Sequence, residues 1–260
     1  MRTDSLLKQL NYIESPNLPE APVSLALVDG RIGAGIADSL EKLGISYVRT
    51  QKHPALPEDV AYHPDMMFCH IGGRDIVYAP KTCTETLMEL EEYGFNLISG
   101  NLRLKSTYPD DIAYNVAIVG KYAFHDFRHT DSILRNRLEE KGFELVKIKQ
   151  GYAKCSISIL GGNSVITSDK GIRAAMLKHS VNTLAIEPDK NIHLGNFSNG
   201  FIGGCTGKIG SDKLAFTGDA ERLGSYDIVS EFTKANNISI ISLGSGNIRD
   251  MGSVIPLATY

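Results

Sequence analysis

Two cysteines of the 260-residue chain stand where a thiol could act as a nucleophile. Cys205 occurs in the sequence G-G-C-T-G, in which the glycines leave the thiol approachable and let backbone N–H groups face an oxyanion. Cys155 follows the sequence G-Y-A-K. Catalysis needs a nearby cation or base that lowers the thiol pKa, and Lys154, Arg249 or His193 could supply it. Because free cysteines are also common as small buried side chains, both roles stay open for each thiol.

Arg249 and Asp250 form a second candidate site near the end of the sequence. The Asp250 carboxylate could bind a guanidinium or ammonium group together with another acidic residue, or the pair could satisfy structural partners. Residues 243–252 include three glycines and few large side chains. This composition is typical of a ligand-facing loop or of a tight bend.

Three other patterns have simpler explanations. His125 and His129 are four residues apart, but they span a predicted strand end and helix start, so we predict no metal site. The G-x-x-G-x-G of residues 30–35 has the wrong order for a dinucleotide turn, and no clear acidic residue ends the next predicted strand. We therefore predict no cofactor. Asp110-Asp111 follows a proline and is interpreted as a turn.

The elements that would position these residues repeat along the chain. The spacing of apolar residues predicts five short amphipathic helices. They end at Gly44, Gly94, Gly142, near Ser180 and at Asn236-Asn237. Glycine, and next to it asparagine, readily adopts the left-handed conformation that ends a helix. A β-rich run follows each helix, over residues 45–48, 95–98, 143–148, 181–186 and 238–243.

Glycine-containing hairpins precede four of the helices. Their first strands are predicted over residues 66–71, 115–119, 155–160 and 205–209. The repeated unit is thus strand–strand–helix–strand. A fifth unit is split: its later strand lies at 23–28, and its opening strand must come from 252–258. Pairing of the two ends would close a ring and remove exposed sheet edges. We predict one domain over 23–260, preceded by a polar leader over 1–22 that is partly helical at 5–10.

The composition limits the partners and the compartment. Lys and Arg number 27 against 30 Asp and Glu, a net charge of −3, so nothing indicates a nucleic-acid partner. The N-terminus lacks the apolar segment of a signal peptide, and no apolar run is long enough to cross a membrane. The four cysteines form no C-x-x-C pair. We predict a cytoplasmic protein with no nucleic-acid or membrane partner, and the oligomeric state stays open.

Five such units around a pseudo-fivefold axis resemble the pentein family. This is the α/β-propeller of guanidino-group modifying enzymes, among them agmatine deiminase, arginine deiminase, dimethylarginine dimethylaminohydrolase and glycine amidinotransferase. The sequence G-S-G-N-I-R-D-M-G-S-V-I-P at 244–256 is similar to the glycine-rich turn, cysteine and strand that end these deiminases. Asp250 falls where the family has its cysteine, and residues 199–205 lack the histidine of the family's H-x-D. The resemblance implies a five-bladed α/β-propeller without the usual thiolate chemistry.

The resemblance also implies which residues meet. In a pentein, the first strand of each hairpin begins near the central axis, where ligands bind. The corresponding positions here are Asp65, Asn115, Lys154, Cys155, Cys205, Arg249 and Asp250. Cys205, Cys155 and Asp250 are the candidates for catalysis. Asp65, Asn115, Lys154 and Arg249 are the candidates for ligand binding.

The predicted fold and site residues suggest three possible functions. The first is non-covalent binding of a small polar ligand, guanidino or amino-acid-like, in the central cavity, and we prefer it because both signature residues are replaced. The second is a divergent hydrolase or transferase on guanidino or amidino compounds that uses Cys205 or Cys155. The third is a macromolecular interaction protein, which only the analogy to non-enzymatic penteins supports.

Overall fold

The protein is described from a computed structural model, which covers residues 10–197 and 199–260. The first elements of the described residues are β1 (Asn11–Tyr12), β2 (Val23–Val28), α1 (Ala34–Lys42) and β3 (Ser46–Arg49). Residues 5–9 of the predicted leader helix lie outside the described residues. The Nδ2 atom of Asn17 donates a hydrogen bond to the carbonyl of Ile118 (3.3 Å), which attaches the segment before β2 to a distant hairpin.

Four complete units follow. The next elements are α2 (Pro64–Met67, one turn), β4 (Phe68–His70), β5 (Asp75–Tyr78), α3 (Thr84–Glu92) and β6 (Asn96–Ser99). Then come β7 (Ala117–Val119), β8 (Tyr122–His125), α4 (Ser132–Glu140) and β9 (Glu144–Lys147). The third complete unit contains α5 (Ala153–Ser156, one turn), β10 (Ile157–Gly161), β11 (Ser164–Thr167), α6 (Lys170–Lys178) and β12 (Asn182–Ala185). The last are β13 (Thr206–Gly210), β14 (Lys213–Phe216), a 3₁₀ turn (Ala220–Arg222), α7 (Tyr226–Ala235), β15 (Ser239–Ser242) and β16 (Ile255–Thr259).

The strands pair within five small sheets. In each complete unit the first two strands are antiparallel and the strand after the helix is parallel to the second, as in the order β4-β5-β6. The remaining sheet has the order β1-β16-β2-β3, so the last strand of the chain lies between the first two. The five sheets fit a pseudo-fivefold α/β-propeller, and the predicted fold class is confirmed.

Helix ends recur at equivalent places. The backbone has positive φ just after each of the five long helices, at Gly44, Gly94, Gly142, Ser180 and Asn237. Each helix also buries an apolar face, for example Leu40 of α1, Leu90 of α3 and Leu138 of α4, all with no exposed surface. Among the residues that the model describes, no helix combines the length and the apolar character needed to cross a membrane.

The first strands begin later than the sequence predicts. The predicted strands starting at Met66 and Cys155 begin instead as the one-turn helices α2 and α5. β7 starts at Ala117 and β13 at Thr206. The reason is that a short apolar run does not distinguish a buried helical turn from a buried strand. We call the residues just before each first strand the leading segments; they are 63–67, 111–116, 152–156, 200–205 and 249–254.

Leu257 tests how much the central position of β16 contributes to stability. Its side chain is fully buried in the sheet that joins both ends of the described chain. Leu257→Ala should lower the free energy of unfolding by about 2–5 kcal/mol, through lost burial and the cavity that remains. Urea unfolding measures this. The matched control is Leu177→Ala, whose side chain is exposed (53%) and whose loss should change stability by less than about 0.5 kcal/mol. Equal effects of the two changes would contradict the assignment.

Candidate functional site

The leading segments of all five units contribute to one cavity of about 370 Å³, which we call the central cavity. His63, Asp111, Cys155, Phe201 and Asp250 line it, one from each leading segment. The five leading segments therefore meet around one cavity. The resemblance to the penteins predicts this convergence.

Beside the cavity lies a buried polar network around Asp65. The Cys155 thiol donates a hydrogen bond to Asp65 Oδ2 at 3.2 Å. The Ser253 hydroxyl lies 3.0 Å from the same oxygen and accepts a hydrogen bond from Lys154 Nζ at 2.8 Å. The side chains of all four residues are at least nine-tenths buried. The serine hydroxyl thus connects a buried ammonium group to a buried carboxylate, which partly offsets the cost of removing both from water.

Asn115 joins three of the leading segments through its amide. Its Nδ2 donates to the carbonyl of Asp65 at 3.0 Å and to Cys155 Sγ at 3.1 Å. Its Oδ1 accepts from the backbone N–H of Lys154 at 2.8 Å and of Cys155 at 3.3 Å. Since the residue has no exposed surface, water cannot replace these partners.

The thiols are held in their neutral form. Burial raises the pKa of Cys155 well above its ordinary value, and the neighbouring carboxylates of Asp65 and Asp250 raise it further. Burial likewise raises the pKa of Cys205, with a further contribution from Asp250. Burial also lowers the pKa of Lys154, against the opposing effect of Asp65. A thiol in these surroundings is a poor nucleophile, because the thiolate is the reactive form.

Asp250 and His63 form a second side of the cavity. The Asp250 carboxylate accepts hydrogen bonds from the backbone N–H of Phe201 (2.8 Å) and of Gly252 (3.1 Å). Burial raises its pKa. The His63 ring lies between two carboxylates, with Nδ1 3.8 Å from Asp250 Oδ1 and Nε2 3.8 Å from Asp29 Oδ2. Both ring nitrogens are buried without a hydrogen-bond partner among the described residues.

Asp111 lies at another side of the central cavity. Its Oδ2 accepts a hydrogen bond from the Tyr152 hydroxyl at 2.6 Å, whereas Oδ1 is buried with no partner among the described residues. Burial raises the pKa of Asp111, and the tyrosine hydrogen bond acts in the opposite direction. A buried acceptor without a donor is costly, so a ligand that donates a hydrogen bond would be favoured at this position.

The predicted site residues separate into two groups. Asp65, Asn115, Lys154, Cys155 and Asp250 lie in or beside the central cavity, in the hydrogen-bond network or the lining described above. Two others do not. The Cys205 side chain packs in an apolar core cluster, with its thiol directed at the carbonyl of Ile202 (3.3 Å). Arg249 is exposed and lines a neighbouring surface cleft, which shares Leu194 and Asp250 with the central cavity.

Several residues of the site were missed from the sequence, among them Asp111, His63, Ser253 and the aromatic residues Tyr152 and Phe201. Asp111, interpreted there as part of a turn, is instead a buried acceptor of the cavity. His63 and Ser253 lie two residues before and three residues after predicted positions. A signal for Ser253 existed: it follows Gly252 in the glycine-rich sequence that carries the family resemblance, and its φ is +73°. His63 has the weaker signal of standing before a proline.

Residues 27–255 match a protein-family model described as "Family of unknown function (DUF6873)". The chain belongs to the DUF6873 family. A search of curated proteins finds no match. The solved structures similar to this DUF6873 chain include an inosamine-phosphate amidinotransferase from Streptomyces griseus, with 12% identity, 95% of this chain and 97% of that chain covered, and a TM-score of 0.58.

Two further solved structures have the same fold. Dimethylarginine dimethylaminohydrolase from Pseudomonas aeruginosa is 10% identical, with 86% of the DUF6873 chain and 93% of that chain covered and a TM-score of 0.52. Agmatine deiminase from C. jejuni is 10% identical, with 95% and 98% covered and a TM-score of 0.53. At these identities the similarity shows the fold alone. The pentein fold of this DUF6873 member is therefore confirmed.

Burial of the thiols predicts which cysteines of the DUF6873 protein react with iodoacetamide at pH 8. Cys83 is partly exposed and should be alkylated first in the native protein. Cys69, Cys155 and Cys205 are buried and should react only after unfolding, because the reagent cannot reach them and burial raises their thiol pKa. Peptide mass spectrometry over a time course measures the order. Alkylation of native Cys155 as fast as Cys83 would show that its thiolate is accessible and would contradict this electrostatic description.

Asn115→Ala tests the network that joins the leading segments. It removes the acceptor for the Cys155 N–H and the donor to the Asp65 carbonyl, so the free energy of unfolding should fall by about 3 kcal/mol or more. Denaturant unfolding measures the change. Asn136→Ala, on the exposed face of α4, is the matched control and should leave stability unchanged or slightly raised. If both variants unfold at the same denaturant concentration, Asn115 does not join the segments as described.

Proposed function

We propose that the central cavity binds a small cationic ligand, guanidino or amino-acid-like, without forming a covalent bond to it. The main support is Asp111, a buried carboxylate whose Oδ1 faces no donor in the described part of the chain while its residue lines the cavity. A guanidinium or ammonium group supplies the missing donor and the opposite charge. The proposal predicts a site made of fixed acceptors rather than of a reactive side chain.

The charges of the lining favour a cation. Asp111 and Asp250 are acidic, and of the lining residues within 10–197 and 199–260 none is Lys or Arg. Opposite charges attract more strongly where water is excluded, so two carboxylates in one cavity prefer a cationic ligand to a neutral one of the same shape. His63 adds ring nitrogens that could hydrogen-bond to the ligand or to a bridging water.

The structural relatives support the guanidino class. The similar structures include enzymes named for amidino transfer, for dimethylarginine hydrolysis and for agmatine deimination. One of them holds citrulline. Because fold similarity does not transfer an activity, the choice of ligand class rests on the carboxylates of this cavity together with that analogy.

Thiol catalysis at Cys155 is the second candidate function. Its supporting observation is that Cys155 lines the central cavity and receives a hydrogen bond from Asn115 Nδ2 at its sulfur. Two neighbouring carboxylates oppose it, since they raise the thiol pKa. Cys205 has less support than Cys155, because its side chain packs in an apolar core cluster and does not line the cavity. The thiol labelling described above distinguishes this candidate from non-covalent binding.

We further propose that residues 23–260 act as one domain, to which β1 of the predicted leader adds an edge strand, because β16 pairs with both β1 and β2 and residues from all five leading segments line one cavity. The cytoplasmic location and the lack of nucleic-acid partners remain predictions. The oligomeric state is open.

Matched pairs of cationic and neutral ligands test the proposal. Butylguanidine and phenethylguanidine are each compared with the uncharged urea of the same shape, butylurea and phenethylurea. At least one guanidino compound should raise the melting temperature more than its urea does, because only the cation is attracted by Asp111 and Asp250. Affinity should fall as the pH is lowered from 7 towards 4, since the raised pKa values of both carboxyls let protons compete early.

Two variants locate the binding site. Asp111→Asn should weaken the cation about tenfold or more, while Asn Oδ1 still accepts from the Tyr152 hydroxyl. Asp110→Asn makes the same chemical change at the exposed neighbouring residue and should leave affinity unchanged. Titration calorimetry measures both. Equal stabilisation by every cation and its urea, or equal weakening by the two variants, would refute the proposal.

A further inference from the structure

One wall of the central cavity is aromatic. The ring centroid of Tyr152 lies 5.8 Å from that of Tyr108 and 6.0 Å from that of Phe201, in tilted arrangements. All three residues line the cavity. Tyr108 and Phe197 are exposed by 52% and 55%, so large apolar side chains also stand where the cavity meets solvent. Aromatic rings at these separations form a surface on which a further planar group can pack.

The aromatic wall is adjacent to a charge. The Tyr152 hydroxyl donates to Asp111 Oδ2, so the carboxylate stands at the polar end of the middle ring. A cation held by Asp111 therefore lies beside the wall rather than across the cavity from it. A ligand that uses both features carries its planar group a short distance from its charge.

The same lining is unfavourable for a carboxylate. Recognition of an α-carboxylate ordinarily uses Arg, Lys or a set of backbone donors. The ionisable side chains of the described lining are Asp111, Asp250, His63, Tyr108, Tyr152 and Cys155. A carboxylate placed among them would meet two acidic groups and no Lys or Arg.

We propose that the ligand of the central cavity is an aralkyl cation, a guanidine or amine bearing an aromatic group and no carboxylate. This rests on the proposed function and narrows its ligand class. Asp111 holds the cation, and the wall of Tyr108, Tyr152 and Phe201 packs against the ring. The absence of Lys and Arg from the described lining discriminates against amino acids.

Titration calorimetry of the full chain with three guanidino probes tests the ligand class. Phenethylguanidine should bind about tenfold tighter than butylguanidine, which has the same single cation without the ring, because it also buries an aromatic group. Arginine should bind most weakly of the three. Binding of butylguanidine or arginine as tight as that of phenethylguanidine would overturn this inference and leave the proposed function standing. If neither butylguanidine nor phenethylguanidine binds more tightly than its urea, the proposed function itself fails.

Phe201→Leu tests the aromatic wall separately from the charge. It removes the ring but keeps the backbone N–H that donates to Asp250. The affinity for phenethylguanidine should fall about three- to tenfold, and that for butylguanidine should change less than about twofold. Phe143→Leu changes the same side chain at a partly buried position that does not line the cavity, and it should change neither affinity. An equal loss for both probes in Phe201→Leu would overturn the assignment of the wall.

Discussion

Burial of charge at the meeting point of five units is the constraint on which this structure depends. Asp65, Asp250 and Lys154 are all nearly inaccessible to solvent, and an ionised group in that position costs several kcal/mol unless it is paired and hydrogen-bonded. The partners come from different units: Ser253 connects Lys154 to Asp65, and Asn115 binds both chain segments. No single unit can satisfy these groups, so the network favours the closed arrangement of five over any partial one.

This constraint also determines the chemistry. The carboxylates that balance Lys154 stand close enough to Cys155 to raise its pKa, so the stabilising network and an activated thiolate are incompatible at this position. Two glycines make room for the side chains of Asp250 and His63. A Cβ at Gly204 would overlap the Asp250 carboxylate, and a Cβ at Gly252 would overlap His63. Some glycines of this chain are therefore required by the packing of the site, and others by the turns.

The fold was largely predictable from the sequence because its signals are local. Helix ends at Gly44, Gly94 and Gly142 and glycine hairpins mark each unit within a few residues, and periodicity needs no knowledge of contacts. The site was predictable only through the family resemblance, which gave positions along the chain and not side-chain directions. Thus Cys205 was included although its thiol points into a core cluster, whereas Asp111 was missed. The role of Asp111 depends on Tyr152, 41 residues away in sequence, and no local pattern reports that pairing.

By the sequence resemblance, Asp250 falls where the pentein deiminases have a cysteine, and a carboxyl at that position poses a different electrostatic problem from a thiol. An ordinary carboxyl has a pKa of about 3.9 and an ordinary thiol about 8.5, so equal burial leaves the carboxyl far closer to ionisation at neutral pH. A thiol needs a neighbouring cation to become an anion, whereas burial raises the pKa of Asp250, and His63 together with the backbone N–H groups of Phe201 and Gly252 opposes that rise. The substitution thus replaces a group that must be activated with an acceptor that holds a cation directly. A site with this acceptor is suited to reversible binding, because a carboxylate that is already hydrogen-bonded is stabilised as an anion and is correspondingly weaker as a nucleophile.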